Sequence, residues 1–97
     1  MKSLTIIGRR WFQKTYSYTY CTACVLVDGK TVFVSEKQYG YGDFYIQVAQ
    51  DWLDKNGYLP DLGKYENGSV QPLWQYCRDR GIEYDYQAID VARERDL

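Results

Sequence analysis

The sequence predicts one α+β domain over residues 1–97. An antiparallel sheet of about four strands, a three-stranded meander plus a C-terminal strand, should carry two helices on one face in the order β-β-β-α-α-β. Three observations carry this expectation. The residues up to Val34 are rich in β-branched and aromatic types and contain a strong hairpin signal at Asp28-Gly29. A glycine-hinged corner, Tyr39-Gly40-Tyr41-Gly42-Asp43, then leads into helical periodicity. Finally, Ile82-Glu83-Tyr84-Asp85-Tyr86 returns to alternation between apolar and polar residues.

Each element follows from its residues. Leu4-Thr5-Ile6-Ile7-Gly8 begins a strand that Arg9-Arg10-Trp11-Phe12-Gln13 extends, and Thr15 to Tyr18 turns into a second, Thr19 to Val27. Val25-Leu26-Val27 and Thr31-Val32-Phe33-Val34 flank the Asp28-Gly29 turn, and the third strand fades at Glu36-Lys37. Asp43 is suited to N-cap a helix, because its carboxylate can accept from free N–H groups of the first turn. Tyr45, Val48, Ala49 and Trp52, with Leu53 beside them, fall on one helical stripe, and Asn56-Gly57 ends it. The irregular stretch 58–68 is long for so small a domain and is expected to be functional or mobile. Ser69 is a cap candidate for a second helix with Val70, Leu73, Trp74 and Cys77 inward, closed by Gly81. The alternation slips between Tyr86 and Ile89, which predicts a β-bulge near Gln87-Ala88. Arg93 to Leu97 is a charged tail expected in solvent.

Composition narrows the function classes. The chain has a net charge of −1 and eleven tyrosines, three tryptophans and no histidine. Without histidine, the commonest general base and the Ser-His and Cys-His pairs are absent, so no enzymatic activity is expected. Glu83 and Asp85 could pair as carboxylates, but their spacing is also that of a wet strand face. Three cysteines do not make a disulfide framework. Cys21 and Cys24 have the spacing of a metal knuckle, yet in a strand they point to opposite faces, and only Cys77 remains as a further thiol. No metal and no cofactor are expected. No apolar run is long enough to span a membrane, and Met1-Lys2-Ser3-Leu4 lacks the apolar core of a signal peptide, so a cytoplasmic setting is expected.

Two binding classes remain. Tyrosine, tryptophan and arginine dominate interface hot spots, which points to protein binding through an aromatic surface, with Tyr39, Tyr41, Tyr58 and Tyr65 as candidates and self-association as one form of it. The alternative is a nucleic-acid or nucleotide binder. Residues 1–27 hold four basic residues and no acid, and Arg9, Arg10, Trp11, Lys14, Tyr16 and Tyr18 interleave cations with stacking surfaces, Tyr20 following them. Against it stand the slightly negative total and the small number of cations. The double-stranded-RNA-binding module shares a run of strands leading through a glycine turn to a helix, but its phosphate-binding lysines are replaced here by Asp43, Phe44, Tyr45 and Ile46. The glycine corner itself matches neither the dinucleotide fingerprint nor the phosphate loop.

Arg9 to Tyr16, Val27-Asp28-Gly29, the glycine corner, Leu73-Trp74-Gln75-Tyr76-Cys77-Arg78 and the closing Asp90 to Leu97 resemble a pattern in short hypothetical proteins of phages and gut bacteria. That group has no assigned activity, so the resemblance brings no functional residue with it. It implies a setting, that of a small phage-type accessory protein binding a host or phage protein without catalysis.

Overall fold

The computed structural model describes residues 1–97. Its elements are β1 (Ser3–Gln13), β2 (Tyr18–Val27), β3 (Lys30–Val34), β4 (Gln38–Tyr39), α1 (Phe44–Lys55), α2 (Leu73–Asp79) and β5 (Glu83–Val91), followed by a 3-10 turn at Glu94–Asp96. The sheet runs β3-β2-β1-β5, and β4 pairs with β2 beyond the end of β3. The expected α+β class and meander are present, but the sheet is mixed and has five strands. Strand β5 lies parallel to β1, not antiparallel. Alternation of side chains carries no direction. The direction is set by α2, which releases the chain beside the start of β1, where the Glu83 N–H donates to the Lys2 carbonyl at 3.0 Å.

Local chemistry explains the turns. Asp28 (φ 51°) and Gly29 (φ 82°) both take the left-handed conformation that a two-residue hairpin of right-handed twist requires. The Asp28 carboxylate also accepts from the Lys2 and Ser3 N–H groups, at 2.6 and 3.0 Å, and so anchors the entry of β1. Helix α1 ends as its residues predict: Gly57 (φ 78°) is left-handed and the Tyr58 N–H returns to the Leu53 carbonyl at 3.0 Å. Helix α2 repeats the device, with the Ile82 N–H on the Cys77 carbonyl at 2.9 Å. Asp43 occupies the N-cap position of α1, but its side chain makes no capping hydrogen bond.

The core lies between one sheet face and the two helices. Leu4 and Ile6 of β1 and Cys21, Ala23 and Val25 of β2 meet Tyr45, Ala49 and Leu53 of α1 and Leu73, Tyr76 and Cys77 of α2. Each fully buried leucine or isoleucine here contributes about 1.5–3 kcal/mol of transfer free energy. Trp52 is half-buried and stacks between Phe33 (4.7 Å) and Tyr58 (5.5 Å), extending the core under the β3 edge. Inside, Gln50 donates to the Gln71 carbonyl at 2.7 Å, so a buried amide joins α1 to the segment entering α2.

Three local expectations are corrected: the start of α2, the inward place of Trp74 and the bulge in β5. Helix α2 begins at Leu73 behind Pro72, not behind a Ser69 cap, because Val70 is drawn into a bridge with Lys64. Its buried face is consequently Leu73, Tyr76 and Cys77, and Trp74 turns outward at 54 % exposure with Arg78 over its ring. No bulge interrupts β5, whose register with β1 is continuous from Ser3↔Glu83 to Trp11↔Val91. The apparent slip is an edge strand using both faces, Tyr84 and Ala88 toward the helices and Ile89 and Val91 away. The 58–68 stretch is fastened by packing: Leu59 and Leu62 are buried, and the Tyr76 hydroxyl donates to the Pro60 carbonyl at 2.8 Å.

Two outcomes follow from this packing. Leu53→Ala should lower unfolding free energy by about 2–5 kcal/mol, whereas Trp74→Ala should change it by less than about 1 kcal/mol, both measured by urea titration. The two N–H groups on Asp28 hold its carboxyl below the ordinary aspartate range. A depressed carboxyl stabilises the fold above its unfolded pKa, about 3.9, and that stabilisation disappears as pH falls through the folded value. Asp28→Asn, which keeps a residue that tolerates the turn, should therefore reduce stability at neutral pH and shrink the loss of stability on acidification, as followed by urea melts at neutral and acid pH.

Candidate binding surface

The sheet has one face under the helices and one that is not. On the second face, period-two alternation and the β1–β2 register bring Thr5, Ile7, Arg9, Trp11 and Gln13 beside Leu26, Cys24, Thr22, Tyr20 and Tyr18. Across β2, Tyr39 of β4 stands opposite Tyr20. The result is a continuous run of five rings. Trp11 stacks on Tyr20 with centroids 5.8 Å apart, and Tyr20 meets Tyr39 edge-on at 5.8 Å. Tyr39 meets Tyr18 edge-on at 5.3 Å, and Tyr18 stacks on Tyr16 at 6.2 Å. Offset and edge arrangements of this kind are favoured by the ring quadrupole, so the rings hold one another in place.

Cations border the run. The Lys37 ammonium lies 5.0 Å from the Tyr20 ring centre and also pairs with Glu94 at 3.2 Å. Arg9, one row from Trp11 and opposite Thr22, is exposed and has no ion pair; nor has Lys14 at the hairpin tip. Arg10 is on the other face. Its guanidinium grips Asp90 of β5 at 2.8 Å and donates to the Gly42 carbonyl at 3.1 Å, and the Asp90 hydrogen bond raises its pKa further. The structure therefore brings together Arg9, Trp11, Lys14, Tyr16 and Tyr18 and separates Arg10 from them.

Aromatic surface continues around the corner onto the helix side. Gly40 is buried against the Phe44 ring, which occupies the space a Cβ there would need, and its N–H donates to the Thr19 carbonyl at 2.9 Å. The corner is thereby pulled against the protruding end of the β1–β2 hairpin. Tyr41 is left 78 % exposed and shares a shallow hollow of about 300 Å³ with Phe12, Thr19 and Gly42. Phe12, Tyr16, Tyr18, Tyr39, Tyr41 and Phe44 are all exposed, and all lie at this one end.

Of the tyrosines the sequence singled out, Tyr39 and Tyr41 belong to this end. Tyr58 is half-buried against Trp52, and Tyr65 is exposed in the 64–70 loop, where its N–H donates to the Ser69 carbonyl at 2.9 Å; no ring pair joins either to the others. Phe12, Phe44 and Lys37 were not among the candidates. Their signal in the sequence is weak, since Phe44 reads as a helix start and Lys37 as a fading strand.

The tail is exposed from Ala92 to Arg95, as expected, and half-buried at Asp96 and Leu97. It crosses the open face from the end of β5, places Glu94 on Lys37, and sets Leu97 into a cavity of about 330 Å³ with Ile7, Arg9, Thr22, Cys24 and Val34. An apolar residue at position 97 gives the charged segment a reason to lie down on that strip. The cysteines occupy both faces, as alternation requires. Cys21 and Cys77 are buried in the core and Cys24 is half-buried on the open face, all three as free thiols. Burial pushes the Cys77 thiol up to about 11 and raises that of Cys21. Comparison with protein-family models, with curated proteins and with solved structures finds no match to this chain.

The thiols provide a direct check of this placement. Since a thiol must be exposed and ionised to react, Cys24 should be alkylated first by iodoacetamide under native conditions, with Cys21 and Cys77 labelled only on unfolding. Mass spectrometry of the digested protein would report the order, and early labelling of Cys77 would contradict the packing.

Proposed function

We propose that this chain is a non-catalytic binding module whose aromatic end docks a protein partner. The observation that supports this is the gathering of six exposed aromatic side chains around the tip of the β1–β2 hairpin and the glycine corner. Contiguous apolar surface of this kind is uncommon on a monomer unless it is used. The rings of Tyr16, Tyr18 and Tyr39, already packed against one another, lose little side-chain entropy when a partner covers them, which suits them to interface anchors. The setting that accompanies this reading is cytoplasmic and phage-type, with a host or phage protein as partner.

A second reading has its own support. Arg9, Trp11, Tyr16 and Tyr18 share one open face, with Lys14 in the adjoining hairpin turn, the arrangement a single-stranded nucleic acid would use for phosphate contact and stacking. It ranks below the first because Arg10 and Lys37 are engaged by Asp90 and Glu94, and because Trp11 and Tyr20 turn ring faces toward each other. Two free cations give a weak counterion-release contribution.

The test separates the two. Capture from host lysate, with and without nuclease, should retain a protein partner in both cases. The purified pair should then lose about 2 kcal/mol of affinity, roughly thirtyfold, for Tyr39→Ala or Tyr41→Ala and little for Arg9→Ala. Retention that vanishes with nuclease, together with affinity that falls steeply with salt and depends on Arg9, would overturn the protein reading in favour of nucleic acid.

A further inference from the structure

The two edges of the sheet are built differently. The β3–β4 edge is blunted: β3 has only five residues and begins at Lys30, its register shifts between Val25 and Leu26, and Lys37 stands at the break before a two-residue β4. Short strands, irregular register and lysines are the usual means of preventing one sheet from adding to another. The β5 edge has none of them. It runs nine residues without a bulge, proline or lysine.

Its free hydrogen-bonding groups can be identified. The Glu83 N–H donates inward to Lys2, so in this parallel pair the odd-numbered residues of β5 turn their backbone groups toward β1. Tyr84, Tyr86, Ala88 and Asp90 consequently point N–H and C=O at the open edge, and no turn, loop or side-chain hydrogen bond reaches them. Exposed apolar surface flanks the row. Tyr86 (52 % exposed) and Trp74 (54 %) line one depression on the helix side, and Ile89 (38 %) lies on the other face.

We infer that β5 pairs antiparallel with β5 of a second copy of this chain, making one continuous sheet across a two-fold axis. The strand is complementary to itself. Centred on Gln87, the register pairs all nine residues and sets Glu83 opposite Val91, Tyr84 opposite Asp90, Asp85 opposite Ile89 and Tyr86 opposite Ala88. No carboxylate faces another, and a large ring faces a small side chain at the positions nearest the axis. The Asp90 charge is already answered by Arg10 within its own chain. Residues that pair directly across the axis keep both helix layers on the same side of the joint sheet.

This inference is independent of the aromatic-end reading, and the experiment keeps them apart. In sedimentation velocity, the 11.5 kDa chain should sediment at twice its mass as concentration rises. Hydrogen exchange followed by NMR should show the Tyr84, Tyr86, Ala88 and Asp90 amides slowed in the dimer. Ala88→Pro removes an outward N–H without touching the β1 ladder, and Tyr86→Lys adds the charge the edge lacks; each should give a monomer in which the remaining outward amides exchange freely. Tyr39→Ala should leave the dimer intact. A wild-type chain that stays monomeric with those four amides in fast exchange would overturn the inference and leave the edge to a foreign strand. A dimer unchanged in both edge variants would equally overturn it, placing the interface elsewhere.

Discussion

The contact on which this architecture rests is a ring lying on a glycine. Tyr45, in the first turn of α1 and 1 % exposed, occupies the space that any side chain at Gly8 would need. Gly8 is in the middle of the central strand, so the helix can approach the sheet closely at this point only because nothing projects there. Beside it, Arg10 ties β1 to β5 through Asp90 and to the glycine corner through the Gly42 carbonyl. Together they fix where the chain leaves the sheet and at what height the helix begins. The display of Tyr39, Tyr41 and Phe44 is a by-product of that fixation, because all three lie within a few residues of it.

Residues that act locally were legible from the sequence, and those that act across the fold were not. Asp28-Gly29 and Asn56-Gly57 specify their turns by their own backbone preferences, and the structure has both. Alternation marked a strand at Ile82 to Tyr86 but said nothing of its direction, which depends on where α2 ends. Trp74 was misassigned because a shift of the helix start from Ser69 to Leu73 leaves Tyr76, not Trp74, beside Leu73 and Cys77 on the inner face. For the candidate surface, spacing placed Arg9 with Trp11 and Tyr16 with Tyr18. It could not show that a two-residue strand would carry Tyr39 back to β2, nor that Arg10 would be used up by Asp90 eighty residues away.

The open face shows how a small domain divides a surface. Near the hairpin tip the rings are left bare, while the strip of Ile7, Cys24 and Val34 is partly covered by the chain's own tail through Leu97. The two regions meet at Lys37, which touches a ring of one and a carboxylate of the other. The same apolar sheet face is therefore part scaffold for the tail and part candidate surface, with a single lysine on the boundary.

The position of β5 beside β1 also bears on how the protein is made. Every pair in that ladder joins residues eighty apart, whereas the hairpin and α1 draw on neighbours. A ribosome delivers β1 eighty residues before its parallel partner β5. During that interval β1, with Leu4, Ile6 and Ile7, stands as a bare edge in a partly assembled sheet. Late closure of so long a loop is slow relative to local hairpin formation. A chain stopped before Glu83 would hold most of the strands and both helices, yet lack the one segment that seals its central strand.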